Sequence, residues 1–101
     1  MTYTMQIKSA NAMAQRFALD AAIERRRSAV AFIFGIELAI EQGIDAGMDR
    51  AELRDLANGA LDAISNLTGE LHAALDAENL SHDMLLPLDV SELLALVEKL
   101  K

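Results

Sequence analysis

Apolar positions along this chain fall into three patterns. In "ERRRSAVAFIFGIELAI", Glu24 to Ile40, they follow one another almost without a break behind three arginines. From Leu53 they recur at Ala57, Ala60, Ile64, Leu67, Leu71 and Ala74, spacings of 4, 3, 4, 3, 4 and 3 that trace one side of an α-helix. Asp55, Asn58, Asp62, Asn66, Gly69 and Asp76 fall on its other side. Near the end, Val90, Leu93, Leu94, Val97 and Leu100 form a shorter helical stripe, with Lys99 and Lys101 placed at its negative end.

The signals between these patterns set the element boundaries. Tyr3, Met5 and Ile7 alternate with polar residues in a run too short to stand alone, so residues 1–8 are expected to form a flexible arm. Ser9 can cap a helix over residues 9–42, in which Gly35 costs about 1 kcal/mol relative to alanine and is tolerable where the helix is buried. "GIDAGMD" supplies turn residues, and Asp49 followed by Glu52 resembles a capping box that starts a second helix over residues 49–78. Ser81 can cap a short turn that Pro87 ends, and a C-terminal helix is expected over residues 89–100.

A short connection between two long helices makes them antiparallel neighbours. The fold class expected is therefore all-α, a long helical hairpin plus a short C-terminal helix in one domain, dimerising into a helical bundle. With the turn centred at residues 45–46, Glu41 should face Arg50 and Glu37 should face Arg54. Arg27 should come near Asp62 or Ile64. Successive helical residues rotate by about 100°, so Arg25, Arg26 and Arg27 point in different directions and do not form one basic patch.

The apolar run divides by face. Ala31, Gly35, Ala39 and Gly43, four apart, make a ridge of small residues that lets a second helix approach closely, either within the chain or from another copy. Val30, Phe34 and Leu38 are ringed by Arg27, Glu37 and Glu41, an apolar centre with a charged rim. They are either an anchor for a partner or a patch covered by the C-terminal helix or the arm. Phe32, Ile33, Ile36 and Ile40 are expected in the core.

Composition narrows the function classes. With 101 residues, 52% of them hydrophobic, eighteen alanines and one proline, the chain is long enough for one helical core and too apolar for disorder. Glu37 and Glu41 interrupt the apolar run well short of the roughly 20 residues a membrane span needs. The arginines stand too far from the N-terminus for a signal peptide, and cysteine is absent, so a cytoplasmic setting is expected. The net charge of −7 falls wholly on residues 51–101, which disfavours nucleic acid and anionic lipid and favours a protein partner with a basic surface.

Candidate chemistry is sparse. His72 and His82 lack the Glu-x-x-His spacing of bundle metal sites, so no metal is expected and both read as solvated side chains. Glu37 and Glu41 read as salt-bridging residues rather than an acid–base pair. No serine has a nucleophile context and no glycine-rich phosphate loop is present, so neither a catalytic site nor a cofactor is expected. The reading that remains is a small acidic protein-binding regulator, such as an antiactivator, anti-sigma-like inhibitor or adaptor. A structural or assembly protein, a secretion chaperone among them, is the alternative. Mimicry of nucleic acid by Asp55, Asp62 and Asp76 is a lesser one.

Overall fold

The computed structural model describes the backbone of residues 2–101 and the side chains of residues 10–101. Among these residues there are α-helices and one short 3-10 turn, and no strand: α1 spans Thr2–Asp45, α2 Arg50–Ala77, and α3 Ser91–Lys99, with the 3-10 turn at His82–Met84. α1 and α2 pack antiparallel, and α3 lies against both at the hairpin's turn end.

Two boundaries differ from expectation, and both lengthen α1. From residue 2 to residue 8, where an arm was expected, the backbone is already helical. No proline or glycine occurs between Thr2 and Gly35, so nothing separates these residues from the helix formers that follow. At the other end α1 runs past Gln42 to Asp45 because Gly47, not Gly43, terminates it. Gly47 has φ +75°, a left-handed conformation that glycine takes without steric cost. The Met48 amide donates to the Gly43 carbonyl at 2.9 Å and the Gly47 amide to Ile44 at 3.1 Å, the paired bonds of a Schellman motif.

α2 begins where the sequence signals it. Asp49 is its N-cap and accepts the Ala51 amide at 2.9 Å, satisfying one of the donors left over at a helix start. Its far end repeats the Schellman pattern with Asn79 at φ 56°: Leu80 N–H donates to Leu75 and Asn79 N–H to Asp76. The expected stripe faces inward, with Leu53, Ala57, Ala60, Ile64 and Leu71 buried and Leu67 and Ala74 half-buried.

The longer α1 also moves the register. Arg25 Nη2 reaches Glu70 Oε2 at 2.6 Å, and Gln15 Nε2 donates to the Glu78 carbonyl at 2.8 Å, so facing positions add to 95 and 93 rather than 91. The pairs Glu41–Arg50 and Glu37–Arg54 do not form; Arg50 Nη2 lies 3.5 Å from the Lys99 carbonyl of α3. Arg27 does not cross to Asp62 but pairs with Glu24 on its own helix at 2.7 Å.

The core has two parts. Ile33 and Ile40 of α1, Leu53, Ala57, Ala60 and Ile64 of α2, and Leu93, Leu96 and Leu100 of α3 form one. Each large aliphatic side chain buried there contributes about 1.5–3 kcal/mol. Ala22, Leu71, Leu75 and Leu85 form the other, nearer the open end. α3 places Leu96 inward where Leu94 was expected; Leu94 is exposed. At the open end α2 stops beside Gln15, so the first part of the 44-residue α1 reaches beyond it. The principal extents are 69 × 17 × 16 Å.

Candidate interaction surface

Helical rotation assigns Phe32, Ile33 and Phe34 to three directions, and α2 covers only the middle one. Ile33 is buried, whereas Phe32 is 46% exposed, which corrects its expected place in the core. Phe32 instead lines a groove of about 330 Å³ with Ala29, Ala63, Ile64 and Leu67 on one flank of the hairpin. Phe34 faces away from α2 and is 69% exposed, with Val30 and Leu38 beside it also exposed. Neither α3 nor the α2–α3 connection encloses these three residues.

The small-residue ridge is split. Gly43 is buried, and a Cβ placed there would stand 2.6 Å from Leu53 Cδ2, so this glycine does permit a close internal approach. Ala31, Gly35 and Ala39 are exposed, and nothing lies within 4 Å of a Cβ built at Gly35. The internal helix pair thus uses one end of the ridge and leaves the rest open.

Of the three arginines, each has its own task. Arg25 pairs with Glu70 across the hairpin. Arg26 Nε donates to the Leu86 carbonyl at 2.6 Å and Nη2 to Pro87 at 3.2 Å, tying the α2–α3 connection to α1. This connection brings forward residues that periodicity does not single out. Met84 and Leu86 are exposed and line a groove of about 340 Å³ with Ile23, Arg27 and Val30. The groove continues as a pocket of about 210 Å³ bordered by Val30, Ile33, Phe34, Glu37 and Asp89. Met13 and Phe17, toward the N-terminus of α1, are likewise exposed, at 72% and 78%. Their four-residue spacing, opposite the side that carries Ala22, is the sequence signal for them.

The rim is electrostatically uneven. Burial raises the pKa of Glu37 above the usual glutamate value, and its acidic neighbours Glu92, Glu41 and Asp89 add to the rise. Asp89 is held below the usual aspartate value by hydrogen bonds from the Ser91 hydroxyl and amide, at 2.6 and 2.9 Å. Glu41 and Arg27 stand exposed at either end of the Val30–Leu38 segment.

Elsewhere, His72 is half-buried rather than freely solvated, its ring stacked on His82 with centroids 4.0 Å apart. His82 Nε2 lies 2.7 Å from Asp76 Oδ1. The two rings border a groove of about 380 Å³ with Arg26, Leu86 and Pro87. The hydroxyl of Thr68, also on that groove, donates to the Ile64 carbonyl at 2.9 Å. Among the described residues, no group of three or more His, Asp or Glu is placed to hold a metal ion, and no helix is long and apolar enough to cross a membrane.

Comparison with known protein families, with characterised proteins and with solved structures gives no match to this chain.

Proposed function

We propose that this chain is a cytoplasmic protein-binding regulator, of the antiactivator, anti-sigma-like inhibitor or adaptor kind, that occludes a partner with the outer face of α1 and performs no catalysis. The observation that carries the reading is the exposure of Val30, Phe34 and Leu38 along one helix, within a rim formed by Arg27, Glu37 and Glu41. A well-anchored aromatic with aliphatic neighbours supplies the binding energy of a helix-face contact, and the charged rim supplies its specificity. The acidic second half of the chain steers the encounter toward a basic protein surface.

The alternative, a structural or assembly protein such as a secretion chaperone, draws on a second observation. Exposed apolar side chains extend along α1 from Met13 to Leu38, a length suited to permanent cover by another chain.

Capture from an extract of the source cells, with wild type beside Phe34→Asp, tests the reading. Wild type is expected to retain a protein in fixed stoichiometry that does not dissolve away in moderate salt, and the variant to lose it. A variant that retains the same protein at the same level would remove the outer face of α1 as the site.

A further inference from the structure

We propose that the outer face of α1 is covered, in the free protein, by the same face of a second copy lying antiparallel to it. This rests on the reading of that face as an association surface, and names its occupant.

From Met13 to Leu38 the outward positions advance by alternating steps of 4 and 3 residues, the seam of a two-stranded coiled coil. The apolar members are Met13 and Phe17 at one end, and Ala31, Phe34 and Leu38 at the other. Asp20, Glu24 and Arg27 stand between them. All eight are exposed in the single chain. A seam that changes from apolar to charged and back is poorly suited to a uniform groove. It is well suited to itself reversed.

A two-fold axis midway between Arg25 and Arg26 sets Phe17 against Phe34 of the second copy and Met13 against Leu38. The same axis sets Glu24 against Arg27, twice, where each copy already holds its own Glu24–Arg27 pair at 2.7 Å. Two pairs from two copies then close a ring of alternating charge around the axis. A polar layer inside an apolar seam costs stability and fixes the register. A parallel pairing would instead stack Asp20, Glu24 and Arg27 each on its own copy, like charge on like.

The positions flanking the seam agree with this register. On one side Arg16 comes beside Glu37 of the second copy, and Ile23 beside Val30. Glu37 has acidic neighbours in its own chain, so a guanidinium from the second copy would relieve them. On the other side Ala14 meets Gly35 and Ala21 meets Ser28, all small and exposed, which lets the helices approach closely. The seam from Ala10 to Glu41 is about 47 Å long. A strip of roughly 10 Å on each copy buries on the order of 1,000 Å² in total, the size at which specific interfaces begin. Because α1 outruns α2, the antiparallel arrangement also lays the overhanging Met13 onto the body of the second copy.

The chain has no cysteine, so introduced thiols report the register without background. Asp20→Cys and Ala31→Cys, oxidised as a mixture, are expected to give a disulfide-linked heterodimer, and each alone to give almost none. In ultracentrifugation, Phe17→Asp is expected to weaken self-association by more than about tenfold. Glu24→Arg should weaken it too, and adding Arg27→Glu in the same chain should restore it. Efficient cross-linking of Ala31→Cys by itself would show a parallel pair and overturn the proposal. So would a wild-type chain that stays monomeric at high micromolar concentration; if partner capture still depended on Phe34, the binding reading would survive that result.

Discussion

Two glycines eight residues apart on one helix have opposite roles, and a single methyl group distinguishes them. At Gly43 an added Cβ meets Leu53 Cδ2 at 2.6 Å, and Leu53 is fully buried, with little room to withdraw. The overpacking cost of about 1–3 kcal/mol outweighs the roughly 1 kcal/mol that alanine gains in helix propensity. Gly43→Ala is therefore expected to lower stability by about 1 kcal/mol. At Gly35 the Cβ meets nothing within 4 Å, so only the propensity gain applies, and Gly35→Ala is expected to raise stability by about 0.5–1 kcal/mol. Urea unfolding of the two variants at low protein concentration checks the pair; equal shifts of the same sign would contradict the packing described. The four-residue spacing that grouped these glycines in sequence says nothing about which one a neighbour approaches. That depends on where the neighbour's large side chains fall. The same limit explains Phe32: in a run as apolar as Val30–Ile40, consecutive residues point in different directions, and hydropathy alone does not choose the inward one.

Among the elements, legibility followed amphipathicity. α2 carries polar residues on one side and aliphatics on the other, so its inward face and its Asp49 cap could be read directly. α1 offers no such contrast in its second half, and either glycine of "GIDAGMD" could stop it, so the pattern alone does not fix its end. The choice of Gly47 lengthened the helix and shifted the hairpin register, so the charge pairs drawn for the shorter helix did not form. One result is that Glu37 sits among acidic groups where α3 begins. Its pKa is raised, first by burial and then by Glu92, with Glu41 and Asp89 following. The folded chain therefore binds this proton more tightly than the unfolded chain does. Stability falls as pH rises from the ordinary glutamate value through the raised one, and the deficit is complete above it. Glu37→Gln removes the deficit. At protein concentrations low enough to keep the chain a lone subunit, the variant is expected to melt above wild type at pH 7, with the difference closing as pH drops below the ordinary glutamate range. A variant melting below wild type at pH 7 under those conditions would show that the ionised carboxylate is stabilised within the subunit.

At the scale of the molecule, the all-helical hairpin and its C-terminal helix were legible, since they rest on helix formers, caps and turn residues. Much of the candidate surface was not. Val30, Phe34 and Leu38 could be picked out by their charged surroundings, but Met84 and Leu86 reach the same side because Arg26 and the buried Leu85 hold the connection between α2 and α3 against α1. Met13 and Phe17 fall within the helix expected over residues 9–42, and their exposure depends on which side of α1 is covered by α2, which an unbroken helical stretch does not specify. Together they leave a thin molecule with apolar side chains at both ends of a long seam on one helix, where a lone subunit in water would keep large side chains wet. Sedimentation equilibrium across a wide concentration range tests that point most directly. Wild type is expected to approach twice the 11.0 kDa mass of one chain as concentration rises, and Phe34→Asp to remain at the single-chain mass with its helix content unchanged. A wild-type mass that never leaves 11.0 kDa, or a Phe34→Asp chain that associates as wild type does, would contradict the account.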